Sequence, residues 1–264
     1  MTARRTILVS GMAALAGCAA SSTQTRREKG ETYVLVHGAW HGGWCWSRVA
    51  DILRNGGHRV FTPTQTGLAD RKHLMSKAID LDVFVSDIAN LMDYEELDGV
   101  TLVGHSFGGL TVTGVADRLG PRIKKLVYLD ALIAFDGKAV FDTLPPDVVA
   151  QRKKLADESS GGVSLPPPPP SAFGVSDTTQ AAWLTRRLTP HPIGTYTSAL
   201  RLANAPGNGR DTTFIRCTQP AYILINPFER YAREQGWRMR SIAAGHDAMV
   251  SAPELLAAEL GRLS

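Results

Sequence analysis

The chain has 264 residues, 44% of them hydrophobic, with 29 basic against 25 acidic side chains and a formal net charge of +4. That length is one domain's worth, and the apolar share is ample for a large core. A basic surplus this small argues against a nucleic-acid binder.

Residues 1–17 read as a bacterial lipoprotein signal peptide. Arg4-Arg5 opens a cationic segment, an apolar stretch runs to Ala16, and Leu15-Ala16-Gly17-Cys18 places cleavage before Cys18 with a lipid on its thiol. The paired arginines also fit twin-arginine export. The apolar run is too short to remain as a membrane-spanning helix. Ser21 to Gly30 is polar and charged, so residues 18–30 read as a flexible, lipid-anchored tether. The expected location is the periplasmic side, with membrane contact only through the lipid anchor.

The folded unit is expected over 31–264. A buried strand at 33–36 runs into His37-Gly38-Ala39-Trp40-His41-Gly42-Gly43-Trp44. A His-Gly-rich loop after an early strand can aim a backbone N–H at a developing oxyanion, and Ala39 is the candidate donor. His37 reads as a structural histidine holding this loop. His41 either lines a pocket or faces solvent. A helix over 46–55, a strand over 59–62 and a helix over 80–96 follow. The last carries Leu81, Val85, Ile88 and Leu91/Met92 at helical spacing.

The strand at 100–103 runs into Gly104-His105-Ser106-Phe107-Gly108, and a helix is expected over 110–119. G-x-S-x-G between a strand and a helix is the setting of a nucleophile elbow. The serine is lifted out of the sheet to meet a base, and the crowded turn requires flanking glycines. Ser106 is therefore the candidate nucleophile, and the Phe107 N–H is the second candidate oxyanion donor. Trp40, Trp44, Trp46 and Phe107 point to an apolar pocket near the serine, with Trp40 and His105 as candidates for its lining. Core packing is expected to claim at least two of the tryptophans.

The strand at 125–129 ends in Asp130. Regular alternation then breaks over 132–212, which carries Pro145-Pro146, Ser159-Ser160-Gly161-Gly162 and five prolines at 166–170. This region reads as a lid insertion stiffened by polyproline II. Strands at 213–216 and 238–242 and helices at 226–236 and 253–263 complete the pattern. Strands alternating with helices imply a mostly parallel six-stranded sheet covered on both faces.

His246 lies just past the final strand, in Gly245-His246-Asp247-Ala248-Met249, where a base can reach the serine at the sheet's carboxyl edge. The triad acid usually follows the penultimate strand, but residues 217–226 contain no Asp or Glu. Asp130, at the carboxyl edge of the preceding strand, is the candidate acid, with Asp136 and Glu229 in reserve. Asp247 adjoins His246, and neighbouring side chains diverge. Asp211 lies at the wrong edge. Cys45 and Cys217 read as buried free thiols, with a bridge as the alternative. No C-x-x-C, H-E-x-x-H or Walker pattern calls for a metal or nucleotide cofactor. Nothing in the sequence sets an oligomeric state.

Taken together, the stretches 36–46 and 53–60, the GHSFGG run and the GHDAM run resemble the α/β-hydrolase superfamily. Within it, the chain resembles the small esterases related to plant methyl esterases and hydroxynitrile lyases. The salicylate-esterase-like or pyrethroid-hydrolase-like bacterial branch looks nearest. The resemblance spans 31–264 and implies an α/β-hydrolase fold, a serine nucleophile and a lid. The expected activity is hydrolysis of small or apolar uncharged carboxylic esters through an acyl-enzyme. One alternative is a hydroxynitrile lyase, but those relatives carry a threonine in the oxyanion loop and a lysine after the catalytic histidine, where this chain has Ala39 and Asp247. The other is a hydrolase fold that only binds a small molecule.

Overall fold

The computed structural model describes residues 30–263 together with Thr2. The expected signal peptide, Cys18 and nearly all of the tether lie outside the described residues. Among the described residues eight strands occur in chain order: β1 (Thr32–Val36), β2 (Arg59–Phe61), β3 (Val100–His105), β4 (Ile123–Leu129), β5 (Ser164–Leu165), β6 (His191–Pro192), β7 (Asp211–Cys217) and β8 (Arg238–Ile242). Six of them form one sheet in the order β2-β1-β3-β4-β7-β8, and every pairing in it is parallel. β5 and β6 make a separate antiparallel pair.

The helices are α1 (Ser47–Asn55), α2 (Leu81–Tyr94), α3 (Gly108–Leu119), α4 (Pro146–Ser160), α5 (Thr178–Thr185), α6 (Gly194–Thr197), α7 (Asn226–Glu234), α8 (Ala248–Ser251) and α9 (Pro253–Gly261). Side chains alternate across the central strands, as a pleated strand buried on both sides requires. Val34, Leu102, Leu126 and Phe214 enter one core with α2 and α3. Leu35, Val103, Val127 and Ile215 enter the other with α1 and α9. Each such side chain contributes roughly 1.5–3 kcal/mol by leaving water.

Element ends differ modestly from the sequence reading. β3 runs two residues past 103, and α3 starts at Gly108 rather than 110, so the elbow has no slack between strand and helix. The Asp80 side chain caps α2 by accepting from the Val83 N–H at 2.9 Å.

The stretch between β4 and β7 is more regular than its prolines imply. α4 runs for 15 residues, with Pro146 in its first turn and Gly161 closing it at φ +62°. A proline costs nothing in the first turn, where its missing N–H has no partner to lose, and glycine adopts the left-handed cap without strain. Pro145-Pro146 is a helix start, not a break. Pro169, in the proline run, has polyproline II angles of −64° and 152°.

Candidate active site

The carboxyl ends of β3, β4 and β8 bring three of the expected residues together. Ser106 sits at φ +51°, in the left-handed region that a side chain rarely adopts. Neighbouring backbone bonds hold it there: the Ser106 N–H donates to Leu129 O at 3.2 Å, and Ser106 O accepts from the Gly109 and Leu132 N–H groups. The flanking glycines are needed for space. A Cβ on Gly104 would lie 2.6 Å from a Val112 methyl, and one on Gly108 would lie 2.6 Å from His37 O.

His246 Nε2 is 2.8 Å from Ser106 Oγ, and His246 Nδ1 is 2.6 Å from Asp130 Oδ2. The carboxylate can only accept, so Nδ1 carries the proton and Nε2 is left to accept the serine's. Asp130 is fully buried and is itself held at φ +43°. Its N–H donates to Ile215 O at 2.7 Å. Two strained residues facing one histidine mark a site where the fold sustains local backbone cost, about 1–3 kcal/mol each.

A model of the alpha/beta hydrolase family matches residues 33–259. The chain belongs to the alpha/beta hydrolase family. It is 39% identical over 247 residues to the carbendazim hydrolyzing esterase of Nocardioides sp. (strain SG-4G), covering 88% of this chain and 98% of that protein. Methylesterase 2 of Arabidopsis thaliana is 33% identical over 120 residues, 41% of this chain and 42% of that one. An extracellular α/β-hydrolase from a Paenibacillus species shares the fold with a TM-score of 0.74 at 22% identity, over 88% of this chain and 98% of that one.

In this hydrolase, Ser106 opens into a cavity of about 530 Å³, also lined by Ala39, Trp40, Phe107, Leu132, Phe135, Arg152 of α4 and residues of α7. Among the described residues, neither the Ala39 nor the Phe107 N–H donates to a protein acceptor. Both remain available to an oxygen bound in the cavity. Trp40, at φ +64°, turns the loop immediately after Ala39. Its N–H donates to His191 Nδ1, and its indole N–H donates to Leu165 O, both at 3.2 Å.

The structure corrects two readings of the loop and the elbow. His105 does not line the cavity. As the last residue of β3, it points into the sheet face that Trp46 covers, where its Nε2–H donates to His246 O at 2.9 Å. Burial, with the nearby His246, pushes its pKa well below the ordinary value, so it is neutral. His41 neither lines the pocket nor faces solvent. It is buried, bonded through Nδ1 to Ala39 O at 2.7 Å and through Nε2 to Asp247 Oδ2 at 3.0 Å. His37 binds Gly38 O and the Gln65 N–H, and burial lowers its pKa to about 4. Trp46 lies in the core and Trp44 packs on His41 and Trp183, so neither meets the cavity.

The reserve carboxylates are engaged elsewhere. Asp136 accepts from the Leu202 N–H, and Glu229 pairs with Arg216 and Arg233. Cys45 and Cys217 are buried free thiols, and burial pushes both pKa values up. Among the described residues, no group of three or more His, Cys, Asp or Glu is placed to hold a metal ion.

Arg216 is the residue that sequence reasoning missed. From the carboxyl end of β7 it donates to Asp130 Oδ1, which also accepts from the Cys217 N–H at 3.1 Å. Glu229 at 3.1 Å, Tyr222 O at 3.0 Å and Asn226 Oδ1 at 2.9 Å hold the rest of the guanidinium. The β7 edge, where the acid usually stands, instead supplies the cation that pins an acid delivered by β4. An arginine closing the short strand stretch 213–216, just before an acid-free loop, was the available signal.

The His41–Asp247 pair supports the loop from below. Burial alone would lower the His41 pKa, but the Asp247 charge and the two hydrogen bonds outweigh it, and the net displacement is upward. Burial would raise Asp247, but His41 outweighs it and the net displacement is downward. Asp247→Asn leaves the buried imidazole without its counter-charge and is expected to cost about 3–5 kcal/mol. The His41 contribution is complete below pH 6.5 and fades as pH rises through the raised folded value. The Asp247 contribution is present above pH 3.8 and fades as pH falls through the lowered one. Urea titrations should therefore show the largest gap between wild type and Asp247→Asn near pH 5 and a smaller one at pH 9. An equal gap at both would contradict an ionised pair.

Proposed function

We propose that this chain hydrolyses carboxylic esters through an acyl-enzyme intermediate on Ser106. The observation that carries this reading is the continuous hydrogen-bonded line from Ser106 Oγ through the His246 ring to Asp130. The serine oxygen attacks the ester carbonyl as His246 Nε2 takes its proton. The carbonyl oxygen, now negative, is met by the Ala39 and Phe107 amides. His246 returns the proton to the departing alcohol, and the C–O bond breaks. A water molecule, deprotonated by His246, then attacks the acyl carbon and releases the acid and the free serine.

The carbendazim hydrolyzing esterase and the Arabidopsis methylesterase among the relatives support an ester as substrate. The wall formed by Trp40, Phe107, Leu132, Phe135 and Leu144 favours a hydrophobic substituent at the reacting carbonyl. Residues of the 132–212 insertion supply part of that wall, which supports its reading as a lid. The test is release of p-nitrophenol from p-nitrophenyl acetate by wild type beside Ser106→Ala. Steady turnover by wild type alone supports the reading, whereas binding without turnover favours a ligand-binding protein.

We also propose that Cys18 anchors the mature chain to a membrane, on the strength of Leu15-Ala16-Gly17-Cys18 after the paired arginines. Cell fractionation should find the wild type with membranes and Cys18→Ser released or unprocessed. Wild type that remains uncleaved in the cytoplasm rules the anchor out.

A further inference from the structure

The cavity into which Ser106 opens also holds a polar cluster that the hydrolytic residues do not use. Arg152, half-buried on α4, places its guanidinium 5.5 Å from the centroid of the Tyr196 ring. Tyr196 packs on Phe107 at 4.8 Å, and Tyr222 packs on His246 at 4.2 Å. Tyr196 therefore lies against the side chain of Phe107 and Tyr222 against the ring of the base, with Arg152 acting electrostatically on both tyrosines. Burial raises both phenol pKa values more than Arg152 lowers them, so both hydroxyls stay protonated and able to donate.

All three groups lack an acceptor. Among the described residues, Arg152 makes no hydrogen bond or ion pair, and neither the Tyr196 nor the Tyr222 hydroxyl is hydrogen-bonded. Arg71, Arg122 and Arg216 each have a carboxylate, and Arg187 and Arg210, half-buried like Arg152, donate to backbone carbonyls, whereas Arg152 does neither. Arg152 is half-buried and keeps contact with water, so an incoming anion can engage it without displacing a protein partner. The other charged residues lining the cavity are Arg230 and Glu234, both exposed on α7.

We propose that Arg152, Tyr196 and Tyr222 form an anion-accepting subsite and that the preferred substrates are esters carrying a second, ionised carboxylate. The inference rests on the ester-hydrolysis reading and names its substrate class. The planar guanidinium matches a carboxylate with two parallel N–H donors, and the phenols supply further donors. The bound carboxylate is not altered. Water adds across the ester C–O bond at Ser106, leaving the acid and the alcohol, one of which still bears the anchor. The tryptophan-rich loop pointed to uncharged esters. The cluster adds a charged end to that apolar slot.

The experiment compares matched esters by the ratio of their kcat/KM values in wild type and in variants, so that intrinsic reactivity cancels. Mono-p-nitrophenyl adipate against p-nitrophenyl hexanoate tests a carboxylate on the acyl side. 4-Carboxyphenyl acetate against 4-methylphenyl acetate tests the alcohol side. In at least one pair the carboxylate ester is expected to lose about tenfold or more relative to its neutral partner in Arg152→Met, with partial recovery in Arg152→Lys. Tyr196→Phe, which keeps the ring on Phe107, should lower the same ratio by a smaller factor. Ratios unchanged in Arg152→Met for both pairs overturn the subsite while leaving ester hydrolysis standing. If no ester is turned over, ester hydrolysis itself fails, and calorimetric binding of monomethyl adipate decides the subsite. Binding weakened about tenfold by Arg152→Met supports it, and equal binding overturns it.

Discussion

Ser106→Ala is expected to reduce kcat/KM on p-nitrophenyl acetate by about 10³-fold or more while leaving the chain folded. In the proposed mechanism the hydroxyl is the attacking atom, and its 2.8 Å contact with His246 Nε2 would make it nucleophilic at neutral pH. Its backbone is held by bonds to Leu129, Gly109 and Leu132 that do not involve the side chain, so the elbow should survive the change. The residual rate belongs to the Ala39 and Phe107 amides and to substrate binding. A variant that keeps more than about a hundredth of the wild-type value, with an unchanged circular dichroism spectrum, would remove Ser106 from the chemistry.

Asp130→Asn is expected to lower the rate by up to roughly 10⁴-fold. The reason lies in which way the new amide must face. Oδ1 of Asp130 accepts from Arg216 and from the Cys217 N–H, two donors that tolerate only an oxygen. The asparagine oxygen must therefore take that side, which turns its NH₂ toward His246 Nδ1. A donor there forces the imidazole proton onto Nε2, and Nε2 can no longer accept from Ser106. Arg216 keeps Glu229, so the guanidinium is not left without a charge and the fold should persist. The measurements are kcat/KM and the thermal midpoint. A loss of less than about tenfold at an unchanged midpoint would leave a Ser–His dyad as the working unit.

Sequence pattern and tertiary structure contributed different parts of this description. The strand–turn–helix around Ser106 was legible because a tight elbow leaves a local record: an apolar run, glycines where no Cβ fits, and a helix start. The six sheet strands were legible for the same reason, since burial on both faces demands runs such as 33–36 and 125–129. α4 was not legible, because its polar surface and few core contacts leave no apolar period, and its paired prolines read as a break. His41, His105 and Arg216 share a different difficulty. Their surroundings come from residues 206, 141 and 86 positions away in sequence, and no local spacing encodes such contacts.

The sequence by itself determined the fold class, the strand order along the chain, and the two positions, Ser106 and His246, whose local settings need those residues. It also narrowed the acid by exclusion, since 217–226 offers no carboxylate. Only the tertiary structure decided which carboxylate meets His246, that Arg216 and not an acid occupies the β7 edge, and that His105 and His41 lie beneath the cavity. It also brought Arg152 and two tyrosines into the cavity that Ser106 lines. Backbone preference and hydrophobic period act over a few residues, so they write themselves into local sequence. The meeting of β4, β7, β8 and α4 at one edge is fixed by packing of the whole sheet and its insertion.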